Sequence, residues 1–103
     1  MNSAAISLLA EAGIQGPEAE ILLRRLLSAL VTPSGAAREA IVGLGLGVRD
    51  LDPSLRSIPQ IVRRLAGAGL DETAAAAIFG AEGVQAILAL VSRVDRLEEL
   101  QSP

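Results

Sequence analysis

Glycine and proline fall where the aliphatic runs of this chain stop, and that punctuation constrains the fold more than any other feature. Ten glycines and five prolines are spread over 103 residues. A glycine just past a helical run suits the left-handed C′ position, and a proline suits the first helical turn, where its missing N–H costs nothing. By these rules residues 4–12 form a first helix, with Ser3 as candidate N-cap, Ile6, Leu9 and Ala10 on one face and Gly13 as its stop. Gln15 and Gly16 belong to a short connector, and Pro17 opens a second helix. Glu18 and Glu20 lie in its first turn, at the positive end of the helix dipole. Ala19, Leu22, Leu23, Leu26, Leu27 and Leu30 then recur at i, i+3, i+4, i+7 spacing, opposite Glu20, Arg24, Arg25 and Ser28.

The remaining joints read the same way. Thr32-Pro33-Ser34-Gly35 closes the second helix and opens a third over residues 36–44, with Ala37, Ala40, Ile41 and Leu44 in register. Gly43, Gly45 and Gly47 end it. Residues 48–56 (VRDLDPSLR) read as a connector, with a short extended piece at 46–48. Ser57 caps the next helix, Pro59 lies in its first turn, and Ile58, Ile61, Val62 and Leu65 form its buried stripe up to Gly67 and Gly69. Asp71 caps a short helix that runs to Phe79 and stops at Gly80. A last helix starts near residue 81 and continues to about residue 101, with Val84, Ile87, Leu88, Val91, Val94 and Leu97 as its stripe. Period-2 alternation is absent. The expected fold is all-α, one compact domain of five or six short helices spanning residues 1–103, with Phe79 buried against aliphatic faces.

Composition narrows the chemistry. The chain has no His, Cys, Tyr or Trp, one Phe, and nine basic residues that are all Arg. Without His or Cys there is no imidazole base, no thiolate nucleophile and no zinc site of the usual kind. Without Lys, a His-free serine triad loses its usual substitute base. One aromatic ring offers almost nothing for stacking bases, and a net charge of −3 opposes a nucleic-acid footprint. Residues 1–3 carry no basic leader, and no run approaches the ~18 apolar residues of a membrane span. The mean hydropathy of +0.46 is high for a soluble domain. It leads to the expectation that part of the apolar surface is exposed here and covered in a larger assembly.

Several constellations have plain structural readings. Gly43, Gly45 and Gly47 follow a helix and lack the G-x-G-x-x-G spacing of a dinucleotide loop. Asp50 and Asp52 are too few for the six to eight oxygens of calcium. Glu18/Glu20 and Glu98/Glu99 read as solvated helix ends, not paired general acids. The doublets Arg24-Arg25 and Arg63-Arg64 read as solvated faces balanced by nearby carboxylates. Residues 71–91 allow a helix-turn-helix, yet its recognition helix (EGVQAILAL) offers one Gln and no base-contacting Arg, Lys or Asn. The last stripe spans only two to three heptads, short for a coiled-coil seam.

Taken as consecutive blocks, the chain resembles the core region of phage tail tape-measure proteins. The blocks are residues 4–19 (AAISLLAEAGIQGPEA), 23–27 (LRRLL), 33–37 (PSGAA), 44–50 (LGLGVRD), 58–65 (IPQIVRRL) and 77–86 (AIFGAEGVQA), in the family's order and spacing. Pro17 and Glu20 depart from the family pattern, and both suit a capped helix start. The resemblance implies a segment of a much longer helical protein that fills the tail lumen and sets tail length while tube subunits polymerise. It implies tail-tube subunits, assembly chaperones and other copies of itself as partners, with no specific nucleic acid and no small-molecule substrate. The place implied is the virion tail, and the host bacterial cytoplasm during assembly. No catalytic residue, cofactor or metal carries over. Gly13, Gly16, Pro59, Phe79 and Gly80 match the motif, with punctuation and packing as their implied work. Two other classes stay open at this point: a small helix-turn-helix DNA-binding regulator and a self-associating helical adaptor.

Overall fold

The aliphatic runs and their stops become seven α-helices in a computed structural model that describes residues 3–101. They are α1 (Ser3–Glu11), α2 (Pro17–Val31), α3 (Gly35–Gly43), α4 (Ile58–Gly67), α5 (Glu72–Phe79), α6 (Val84–Ser92) and α7 (Val94–Gln101). Short 3₁₀ turns lie at Val48–Leu51 and Ala81–Gly83, and no strand occurs among the described residues. The all-α expectation holds, with seven helices where five or six were expected. Helix α1 begins at Ser3 itself, and the cap expected of that side chain lies outside the described residues.

Three helices end in one device. Gly13, Gly45 and Gly69 have φ of 95°, 82° and 75°. Behind them the N–H groups of Ile14, Leu46 and Leu70 donate to the carbonyls of Leu9, Ile41 and Leu65, at 2.8, 3.1 and 3.2 Å. This is the Schellman closure, whose C′ residue needs positive φ and whose C″ residue makes an apolar contact back onto the helix. The three acceptor residues are fully buried, so each closure turns the chain at the edge of the core. The helix starts are equally local. Ser34 Oγ accepts from the Ala37 N–H at 3.1 Å, and the Asp71 carboxylate accepts from the Ala74 N–H at 2.8 Å.

The additional helix comes from a break that carries no glycine or proline. Residues 84–101 were expected to form one helix, but Arg93 sits at φ −119°, ψ 26° and separates α6 from α7. The carbonyl of Ala89 accepts from Ser92 Oγ at 3.0 Å and from Arg93 Nη1 at 3.2 Å. The Arg93 N–H donates instead to Leu90, one residue short of the α-helical partner. Side-chain donors on a helix carbonyl bend helices in this way. The bend lays α7 against α1 and α4, where Leu97 is fully buried and Val94 nearly so.

Helix α6 (VQAILALVS) is apolar on nearly every side and takes the central place, in contact with α1, α2, α4, α5 and α7. An all-round apolar helix can satisfy its surface only by being surrounded. The core around it is aliphatic except for Phe79. The radius of gyration, 12.3 Å, is that of a chain of this length folded on one core, for which ~13 Å is typical. Two expectations change. On α1 the buried residues are Ala4, Ala5, Leu8 and, as expected, Leu9, while Ile6 and Ala10 are half-buried. Of the extended piece expected at 46–48, Gly47 is extended at φ −98°, ψ 157°, while Val48 opens the 3₁₀ turn Val48–Leu51, which drives Leu51 fully into the core.

Candidate functional site

The motif residues sit at helix ends. Gly13 closes α1. Gly16 precedes Pro17 at φ 63°, ψ −140°, and Gly80 follows Phe79 at φ 81°, ψ 160°. Only glycine visits those dihedral regions at low cost. Pro59 is the second residue of α4, behind a reciprocal cap in which Ser57 Oγ accepts from the Gln60 N–H at 3.3 Å and Gln60 Oε1 accepts from the Ser57 N–H at 2.9 Å. Phe79 is 5% exposed, as expected of it.

Phe79 borders a hollow of about 20 Å³ between α2, α4, α5 and α6, lined wholly by apolar side chains including Leu26, Ile61 and Leu90. None of the other four motif residues lines it. A space that holds about one water and offers it no polar partner stays dry. A neighbour that the sequence did not single out completes this corner. A Cβ at Gly83 would lie 2.9 Å from Phe79 Cβ and 3.0 Å from Leu26 Cδ2, so the 3₁₀ turn Ala81–Gly83 approaches α2 and α5 only because residue 83 has no side chain. A second hollow, of about 400 Å³, opens widely at the surface between Arg24, Leu27, Ser28, Val31 and Thr32, and its only charged group is Arg24.

The charged constellations resolve into ties between elements. Arg24 pairs with Glu20 within α2, at 3.4 Å. Arg25 reaches across to Glu82. Arg63 on α4 donates from Nη2 to Asp95 and to Glu98 on α7, and from Nε to the second Glu98 oxygen at 3.0 Å. Arg64 pairs with Asp50 at 3.1 Å, and Arg96 on α7 pairs with Glu11 on α1 at 3.0 Å. Both arginine doublets are thus balanced by carboxylates. The i, i+4 spacing marks Glu20–Arg24 in the sequence, but not the pairs between elements, of which Glu11 and Arg96 lie 85 residues apart.

The two aspartates of the loop serve the backbone. Asp50 Oδ2 accepts from the Gly47 N–H at 2.8 Å and caps the 3₁₀ turn. Asp52 Oδ1 accepts from the Ser54 N–H and hydroxyl at 2.9 and 2.8 Å, which holds its carboxyl below the usual carboxylate range. The Glu98 carboxyl is likewise lowered, by its hydrogen bonds to Arg63, and the Arg63 guanidinium is raised in turn. Among the described residues, no charged or polar residue is buried and no three potential ligands cluster as a metal site. Arg56 is half-buried, and its Nε is shielded from solvent without a hydrogen-bond partner.

The candidate recognition helix of a helix-turn-helix starts as the 3₁₀ turn Ala81–Gly83 and continues as α6. Ala86, Ile87, Ala89 and Leu90 face inward, and Gln85 is the polar residue left on its outer side. The six-residue aliphatic stripe, read as short for a coiled-coil seam, is divided between α6 and α7, with Ile87, Val94 and Leu97 buried inside the domain. What the arrangement does well is pack and tie helices. Compared with family models, with curated proteins and with solved structures, the chain matches none.

Proposed function

We propose that this chain is a core segment of a phage tail tape-measure protein and acts as a structural and assembly part, with no catalytic step, cofactor or metal of its own. The observation that carries the proposal is the succession of six sequence blocks in the family's order and spacing over residues 4–86. Two features of the fold support it. The motif residues Gly13, Gly16, Pro59 and Gly80 work as helix punctuation, and Phe79 as packing. The charged side chains tie helices to one another, as a packing unit requires. Its partners in this reading are the tail-tube subunit, the assembly chaperones and further copies of the protein, in the host cytoplasm during assembly and in the virion afterwards.

The test begins with the parent reading frame. It should be long and helical, and should neighbour genes for a tail-tube subunit and its chaperones; a frame set among metabolic genes would end the proposal. Co-expression with that tube subunit should then yield a co-purifying complex. Salt-sensitive binding to duplex DNA without tube binding would instead point to a regulator.

A further inference from the structure

The junction between α6 and α7 is a hinge that the sequence does not require. Residues 91–94 contain no glycine or proline, and the aliphatic spacing runs through them without a phase break. The α-helical hydrogen bond from the Arg93 N–H to Ala89 is missing because Ser92 Oγ and Arg93 Nη1 occupy that carbonyl. If those two side chains let go, α6 and α7 join into one helix of residues 84–101, about 27 Å long at ~1.5 Å per residue. Helix α7 then points away from its own core.

The slot it leaves is specific. Its walls are α1 and α4, and it accepts Val94 and Leu97, which are 8% and 0% exposed when seated. Its rim carries opposite signs on its two sides. Arg63 on α4 meets Asp95 and Glu98, and Glu11 on α1 meets Arg96. An occupant must therefore be a short helix with two aliphatic anchors, acid toward α4 and a cation toward α1. The α7 of a second copy has this chemistry and this polarity.

We infer that two copies of this chain form a dimer by exchanging α7. In the exchanged form each α7 makes in its partner's slot the contacts it makes at home, and each junction gains continuous helix. The balance is then set by the junction and by concentration. The inference does not depend on the tape-measure reading, since it rests on the hinge and the slot.

Charge reversal across the slot tests it. One chain carries Arg63→Glu; the other carries Asp95→Arg and Glu98→Arg. Each alone opposes like charges in its own slot. In a mixed exchanged dimer both slots regain opposite charges. Light scattering after chromatography should give the mass of a single chain, 10.6 kDa, for each variant alone and twice that mass for the mixture. A mixture that stays at single-chain mass, or variants that dimerise as readily alone as together, overturns the inference. A second arm keeps the native slot. Ser92→Ala with Arg93→Ala clears the Ala89 carbonyl and favours continuous helix. It should raise the dimer fraction several-fold over the unmodified chain at equal concentration. Three glycines inserted after Ser92 should return it to monomer. A dimer fraction unmoved by either change refutes the hinge.

Discussion

At the scale of single residues, the same substitution has opposite expected signs at two glycines. Gly83→Ala places a methyl against Phe79 Cβ at 2.9 Å and Leu26 Cδ2 at 3.0 Å, and overpacking of this kind should cost about 1–3 kcal/mol. Gly67, at the end of α4, has nothing within 4 Å of the Cβ position and no positive φ. There Ala restricts the unfolded chain and should stabilise by roughly 0.4–1 kcal/mol. Chemical denaturation of both variants checks the pair, and equal signs would contradict the close approach at Gly83. Phe79→Ala should cost about 3–5 kcal/mol, the range for a fully packed ring. A melt unchanged from the parent would place the ring at the surface. The sequence marks Phe79 as core because it is the chain's one aromatic residue among aliphatic runs. It does not mark Gly83, because close approach to α2 is a property of the packed corner and leaves no local signature.

At the scale of elements, helix starts and stops are legible because they are local chemistry. Ser34, Ser57 and Asp71 cap the helices that follow them, and Gly13, Gly45 and Gly69 close the helices before them, within a few residues of the atoms they satisfy. The inward face of α1 was legible only at Leu9. Its segment SAAISLLAE is apolar on most sides, so no stripe stands out, and contact with α2, α6 and α7 selects Ala4, Ala5, Leu8 and Leu9. Helix α7 is the contrary case, with only Val94 and Leu97 buried and its remaining hold supplied by charge. Glu98 has its folded pKa lowered by Arg63. The stability it contributes is present above the ordinary Glu value of about 4.3 and lost as pH falls through the lower folded value. The Asp52 turn follows the same sign through Ser54. Arg63, whose pKa is raised, stays charged throughout that window. Protection of the α7 amides, taken relative to the intrinsic exchange rate at each pH, should therefore fall on acidification and at high salt, and also in Arg63→Gln at neutral pH. Protection in α7 equal to that of α6 under all three conditions would mean that the ion pairs hold nothing.

At the scale of the whole molecule, α7 adds only Val94 and Leu97 to the aliphatic core, which is otherwise built by α1 through α6 around the central α6. Those helices should unfold in a single transition, with calorimetric and van't Hoff enthalpies in agreement, while α7 opens at lower cost. Two separate melts among α1–α6 would contradict a shared core. The high hydropathy acquires a location here. Ile21, Val31, Val42, Leu55 and Leu100 are 46–66% exposed. They are spread over α2, α3, the loop after Val48–Leu51 and α7, as single exposed aliphatics commonly are. What the sequence determined by itself is the class of fold, the placing of nearly every joint, and the narrow chemistry of a chain without His, Cys or Lys. Caps, closures and periodicity act over a few residues, so they can be read along the chain. What the tertiary structure decided is the break at Arg93, the inward face of α1, the approach of Gly83 to α2, and which carboxylates Arg25, Arg63, Arg64 and Arg96 find. Those outcomes depend on groups that meet only after the chain has folded. Arg96 and Glu11, 85 residues apart, are joined because α1 and α7 flank the same core.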